Sequence, residues 1–297
     1  MTITPTSYFS EPSEQLDPKL FQGRSIQPWV RQGILHLLND YLGMAYQHPE
    51  LWSHAWLAGS GVSYQWEASR QPGDLDCLVG IDFVQFRKAN PSYAGLSDKD
   101  IADDLNEGFR IDLQPQTENW NGYELTFYVN PSATDIRTIK PYAAYDLKYN
   151  EWTVHPDKAL SPKQHPDWER VATSDLETAH QAITRFNAAM QDVQMSHGEA
   201  TRRNAEARLS AASQQGNALF DEIHSNRSLA FSSAGEGYGD FHNYRWQAGK
   251  RNGTIAMLRQ MRDYAQNLSK NTQTNTYGVE LPDADTLIRR AALYGRK

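Results

Sequence analysis

Apolar residues recur at Trp29, Val30, Ile34, Leu37, Leu38, Tyr41 and Leu42, a three-and-four spacing that predicts an amphipathic helix from about 27 to 46. Pro28 suits its first turn, where the amide would have no acceptor. The apolar run 54–62 ends on glycines and predicts a strand entering a turn, and 74–83 predicts a second strand. Ser97, followed by Asp98 and Asp100, signals a helix start and places Ile101, Leu105 and Phe109 on one inward face. The stretch 123–129, Tyr-Glu-Leu-Thr-Phe-Tyr-Val, stops at Asn130-Pro131 and is the clearest strand pattern in the chain. Residues 144–154, folded about Lys148-Tyr149-Asn150, predict a hairpin.

The pattern then changes. Pro156, Pro162 and Pro166 punctuate a polar stretch, and beyond it 175–230 and 245–268 are rich in Ala, Gln and Arg at helical spacing. Between these two lies 232–240, too rich in glycine to be helical and expected as a loop. The expected fold class is α+β. An irregular segment over 1–25 leads into a mixed-sheet α/β domain over 26–156, then a linker over 157–170 and a helical domain over 171–297.

Composition narrows the function classes. Of the 297 residues, 39% are hydrophobic and 22% charged, as in a folded globular chain. The formal net charge of −7 argues against a surface built for duplex DNA. Even in 196–268, nine Lys/Arg face seven Asp/Glu. Cys77 is the only cysteine, so neither an internal disulfide nor a cysteine zinc site is expected, and the nine histidines show no HExxH spacing. No apolar run approaches 18 residues, so no membrane partner is expected. The amino terminus lacks the basic and apolar regions of a signal peptide, which leads to the expectation of a cytoplasmic protein.

The candidate chemistry lies early in the chain. Gly59-Ser60 follows a predicted strand, where a glycine lets backbone approach a ligand and a serine adds a hydroxyl. Asp74 and Asp76 are two residues apart in an extended segment and so share a face. Two like charges that close are best accommodated by a hard divalent cation. A third acid is needed on a neighbouring strand; Glu124 is the best candidate, and Asp112 its rival. Such a set around Mg²⁺ or Mn²⁺ would orient a triphosphate and acidify an attacking hydroxyl. Arg70, just before Asp74, is a further triphosphate contact or an ordinary loop arginine; Arg137 and Lys140 share that ambiguity.

A second constellation covers 235–251, the densest run of glycine, aromatic and cationic residues. Tyr244 and Trp246 would stack on a base while Arg245, Lys250 and Arg251 meet phosphates, or else the aromatics pack into a helical core. His224 and Arg227, on the preceding helix, offer cations to the same ligand or serve structure alone.

Gly59-Ser60, thirteen intervening residues, Asp74-Leu75-Asp76 on an apolar strand and a later strand bearing an acid together resemble the nucleotidyltransferase superfamily of DNA polymerase β. The resemblance covers roughly residues 55–130. It implies that Gly59 and Ser60 bind the phosphates of a nucleoside triphosphate, and that Asp74, Asp76 and Glu124 hold Mg²⁺ or Mn²⁺. The activity it implies is transfer of a nucleoside monophosphate to a hydroxyl or phosphate acceptor on a small molecule, tRNA or protein, with pyrophosphate leaving. Two alternatives stand beside it: an inactive nucleotide-sensing or partner-binding module, and a toxin-type nucleotidyltransferase modifying tRNA or protein.

Overall fold

The computed structural model describes residues 7–69, 71–131, 134–158, 165–279, 282 and 284–294. In chain order the elements are β1 (Phe21–Gln22), β2 (Ser25–Ile26), α1 (Pro28–Ala45), α2 (Pro49–Trp52), β3 (Ser53–Ala58), β4 (Gly73–Ile81), α3 (Phe83–Ala89), α4 (Asp98–Gly108), α5 (Gln114–Thr117), β5 (Tyr123–Tyr128), β6 (Ala144–Asp146) and β7 (Glu151–Val154). They continue with α6 (Pro166–Met195), α7 (Glu199–Ala230), α8 (Phe241–Asn252), α9 (Thr254–Tyr277) and α10 (Ala284–Tyr294). The fold is α+β, with a mixed five-stranded sheet and a helical carboxy-terminal region.

The chain divides into two compact units. One, the sheet unit, gathers 7–161, 231–238 and 283–297; the other, the helical unit, gathers 1–6, 162–230 and 239–282. The helical domain expected over 171–297 is therefore interrupted twice by segments that join the sheet unit. Phe231 packs on Trp56, Leu78, Ile136 and Ile139, and its carbonyl accepts a hydrogen bond from Asn130 Nδ2 at 3.2 Å. In α10, Arg289 Nη2 donates to Glu107 Oε2 at 2.6 Å. The glycine-rich loop lies against this unit too, with the Tyr238 and Tyr142 rings 4.2 Å apart. The expected boundaries also shift, since α6 begins at Pro166, inside the predicted linker, and β1 and β2 form a small hairpin within the segment read as irregular.

Sheet order is β5-β4-β3-β6-β7, with β4 and β5 parallel and the other pairs antiparallel. A parallel pair cannot be closed by a tight turn, and here α3, α4, a π-helical turn at Phe109–Leu113 and α5 make the crossover. α4 starts as its sequence predicts: Ser97 and Asp100 form a reciprocal capping box.

Side-chain alternation gives the sheet two unlike faces. Leu57, Leu75, Cys77, Val79, Leu125 and Phe127 point into the main core, against Val30, Ile34, Leu38 and Leu42 of α1 and Ile101 and Leu105 of α4. The opposite face carries a small apolar patch of Trp56, Ala58, Leu78 and Ala144 under Ile136 and Ile139. Toward the amino ends of β4 and β5 that same face becomes acidic.

The helical unit has its own core. Ala179, Ala182, Ile183, Phe186 and Ala189 of α6 pack on Leu209, Ala212, Phe220 and Ile223 of α7, with Trp246 of α8 and Leu258 and Met261 of α9. Small residues on α6 let the helices approach closely, so the alanine content serves packing as well as propensity. The stretch 175–230, expected to be helical throughout, is broken at 196–198 between α6 and α7. Among the described residues no helix is long and apolar enough to cross a membrane.

Candidate active site

Asp74 and Asp76 lie near the start of β4, and their side chains leave the sheet opposite Leu75 and Cys77, which are fully buried. β5 runs alongside with Glu124 in direct register with Asp74, and Thr126 with Asp76. Paired residues of parallel strands share a face, with about 4.8 Å between strands. Asp74, Asp76 and Glu124 are thus collected on one face of two adjacent strands. Asp76 is exposed, whereas Asp74 and Glu124 are half-buried.

β3 brings the turn to the acids. Ala58 pairs with Asp76, so Gly59 leaves the strand beside that carboxylate. Gly59 has φ +88°, a conformation that L side chains rarely adopt, and a Cβ there would sit 3.2 Å from Asp76 Oδ2. At Gly61 a Cβ would stand 2.3 Å from the Asp74 carbonyl oxygen, closer than any side chain permits. The two glycines let the turn lie directly on the acid-bearing strand. Gly59 N–H donates to the Ala143 carbonyl at 3.1 Å, and Ser63 N–H closes on the Ser60 carbonyl at 3.0 Å. Among the described residues the Ser60 hydroxyl has no hydrogen-bond partner, and the opening amides of the single 3-10 turn Ser60–Val62 have no acceptor within it.

The rival acid is elsewhere. Asp112 is exposed on the π-helical turn, whose Phe109 and Leu113 enter the main core on the other side of the sheet. Its charge acts on Tyr41 of α1, whose hydroxyl is pushed up to about 12, chiefly by burial and then by Asp112. Glu124 is the acid that shares a face with Asp74 and Asp76.

Whether this set suits a divalent ion can be judged from its donors. All are hard oxygens, and Mg²⁺ characteristically takes one or two carboxylates and completes its shell with phosphate oxygens and water. Among the described residues no group of three or more His, Cys, Asp or Glu side chains is placed to hold a metal ion by itself. An ion at this row would need oxygens from a phosphate ligand and from water besides those of the protein.

Other predicted contacts fare differently. Arg70 lies outside the described residues. Tyr244, Arg245 and Lys250 are on α8 in the helical unit. Arg245 is buried: its Nε and Nη2 donate to the two Asp175 oxygens at 2.6 and 2.7 Å, and its Nη1 to Glu222 at 2.6 Å. Those hydrogen bonds to Asp175, first, and to Glu222 raise its pKa despite burial. Tyr244 is also buried, with its ring 5.4 Å from that of Trp168, and Trp246 is part of the helical core. The base-stacking and phosphate roles expected of Tyr244, Trp246 and Arg245 are corrected accordingly: these groups are occupied inside their own unit. Lys250 is half-buried and has interactions of its own.

Pattern reading missed a pair at the opposite end of the same sheet face. His54 Nε2 lies 2.6 Å from Asp146 Oδ2, and the His54 ring is 4.2 Å from that of Trp56. His54 and Trp56 border a cleft of about 570 Å³ that Arg87 and Lys148 also line. None of the predicted site residues lines it. The two partners are 92 residues apart in sequence, and only the β3–β6 register, with Trp56 opposite Asp146, brings them together.

Comparisons with protein-family models, with curated proteins and with solved structures found no match to this chain.

Proposed function

We propose that the sheet unit is a divalent-metal-dependent nucleotidyltransferase, moving a nucleoside monophosphate from an NTP to a hydroxyl or phosphate acceptor and releasing pyrophosphate. One observation carries this reading: the row of Asp74, Asp76 and Glu124 on one open face, with a turn that only glycines allow laid against it. Carboxylates gathered this way repel one another, and a shared divalent cation would offset that repulsion. The Ser60 hydroxyl and the turn amides would hold the β- and γ-phosphates. Asp74, Asp76 and Glu124 would hold Mg²⁺ or Mn²⁺, which supplies charge neutralisation and a lowered pKa for the attacking hydroxyl. The acceptor oxygen attacks the α-phosphorus, the bond to the bridging oxygen of pyrophosphate breaks, and the acceptor proton passes to a carboxylate of the row. The proposal assigns the activity to the cytoplasm, where nucleoside triphosphates are abundant.

The test is incubation of the pure protein with each α-labelled NTP and Mg²⁺ in the presence of total RNA, protein or small metabolites. One acceptor pool is expected to become labelled, and Asp76→Asn to reduce labelling by roughly 100-fold or more. Undiminished labelling by Asp76→Asn would overturn the assignment. Thermal shift separates the alternatives. Stabilisation by NTP only with Mg²⁺ supports the enzyme, and equal stabilisation without metal supports a sensing module. Growth arrest on expression, relieved by Asp74→Ala, marks the toxin-type variant.

A further inference from the structure

The sheet face that carries the acids also carries His54, at its far end. His54, Trp56 and Ala58 alternate along β3 on that face, since Ala58 pairs with Asp76 and His54 with Gly80. Gly80 lies four residues beyond Asp76 on β4, about 13 Å along the strand. Between them the patch of Trp56 and Leu78 is covered by Ile136 and Ile139. The cleft beside His54 is therefore separate from the proposed nucleotide site.

Asp146 is only 5% exposed, and both of its carboxylate oxygens are engaged. Oδ1 accepts the Tyr149 N–H at 2.8 Å, and Oδ2 lies 2.6 Å from His54 Nε2. An ionised carboxylate only accepts hydrogen bonds, so Nε2 carries the ring proton and Nδ1 keeps its lone pair. Among the described residues Nδ1 has no hydrogen-bond partner, yet it is not an enclosed atom, so it is open to solvent. The strands need no such strut, because β3 and β6 already pair through their backbones. A second acid, Asp135, is engaged elsewhere: Arg137 Nε and Nη2 donate to its carboxylate at 2.9 and 2.5 Å. Those bonds, first, and in small part the charge of His54, hold its carboxyl below the usual range.

The cleft that His54 borders, about 570 Å³, has the volume of a small-molecule site. Trp56, Phe83, Leu51 and Val84 give it apolar walls, and the last two are each 62% exposed. The Trp56 ring is fixed. Its Nε1 donates to Thr153 Oγ1 at 3.0 Å, and a Cβ on Gly80 would stand 2.6 Å from its Cζ3. Among the charged residues of the lining, Asp82 accepts from the Val84 and Gln85 amides that open α3. Arg87 donates to Asp98 at 2.5 Å and to the carbonyls of Phe83 and Leu96. Lys148 is exposed and has no carboxylate partner among the described residues. A ligand that yields a proton to Nδ1 becomes an anion with an apolar body. Asp146 then compensates the imidazolium, and Lys148 is the cation left to compensate the anion.

We propose that this cleft binds a small weak acid of the phenol type, with an apolar body and an acidic hydroxyl, and that His54 Nδ1 takes its proton. The proton leaves the ligand oxygen for Nδ1, and the electron pair of the O–H bond stays on that oxygen. Asp146 is a positioning residue that fixes which ring nitrogen is free.

The probe is p-nitrophenol, whose phenolate is yellow and whose phenol is not. It is titrated into the full-length chain at a pH where the free compound is mostly protonated. Saturable binding with growth of the phenolate band is expected. p-Nitroanisole has the same body without the proton and should bind at least tenfold more weakly. His54→Gln can still donate to Asp146 but offers no basic nitrogen; it should remove the phenolate band and weaken binding tenfold or more. Lys148→Gln should weaken binding severalfold. Val84→Glu, at an exposed position in the first turn of α3, sets a carboxylate in the lining and should also weaken binding tenfold. It keeps the test valid if His54→Gln unfolds. Overturning results are no saturable binding, binding without the phenolate band, equal binding of p-nitroanisole, or binding unchanged in folded His54→Gln or Val84→Glu.

Discussion

Gly59 is where residue-level physics bears most directly on the candidate site. Its positive φ and the 3.2 Å separation between a built Cβ and Asp76 Oδ2 make alanine costly for two separate reasons. Gly59→Ala is expected to lower stability by about 1–2 kcal/mol in urea titration and to abolish the Mg²⁺-dependent thermal shift with NTP. A variant with wild-type stability and an intact shift would show that the turn is not the phosphate cradle. The same scale shows why some expected contacts failed. Tyr244 and Arg245 have the right chemistry for a nucleotide, and residue type alone does not say whether a guanidinium is already engaged. Here it is: Asp175 takes both ends of one edge, from 70 residues away.

That ion pair is also a feature of the elements, because it ties α8 to α6, and through Glu222 to α7. Arg245→Ala would leave Asp175 buried without its counter-charge, a loss of about 3–5 kcal/mol. Replacing both partners by apolar residues of similar size should recover most of it. Denaturation of the single and double variants checks this, and an Arg245→Ala protein of unchanged stability would show the pair to be incidental. Much at this scale was readable beforehand. α1, the capped start of α4 and the β5 strand follow from periodicity and caps, since those signals depend only on neighbours along the chain. The break between α6 and α7 was not. Alanine-rich sequence supports helix on both sides of 196–198, and the chain turns there because Ala179, Ile183 and Phe186 pack back against α7.

For the molecule as a whole, the sheet unit depends on chain that returns to it late. Phe231 covers the patch of Trp56 and Leu78, and Arg289 of α10 meets Glu107 of α4. A chain ended at residue 158 lacks both. It is expected to melt roughly 6–12 °C below the sheet unit of the full chain, as a loss of about 3 kcal/mol would give. Amides near Glu107 and Ile136 should then exchange faster with deuterium; equal melting and equal protection would show that the returning segments add nothing. Net charge misleads at this scale. A total of −7 hides two arginines set over the ring of Trp246, because a field is set by local spacing and not by the sum.

The sequence by itself determined the α+β class, the main helices and strands, and the shared face of Asp74 and Asp76, since all of these rest on repeats of two or about 3.6 residues. Tertiary structure alone decided that Glu124 and not Asp112 stands beside Asp74, that Arg245 is neutralised internally, and that arginines of α7 and α9 meet over one ring. The physical reason is common to all three. Strand register and helix packing bring together groups dozens of residues apart, and no local pattern records which of them will become neighbours.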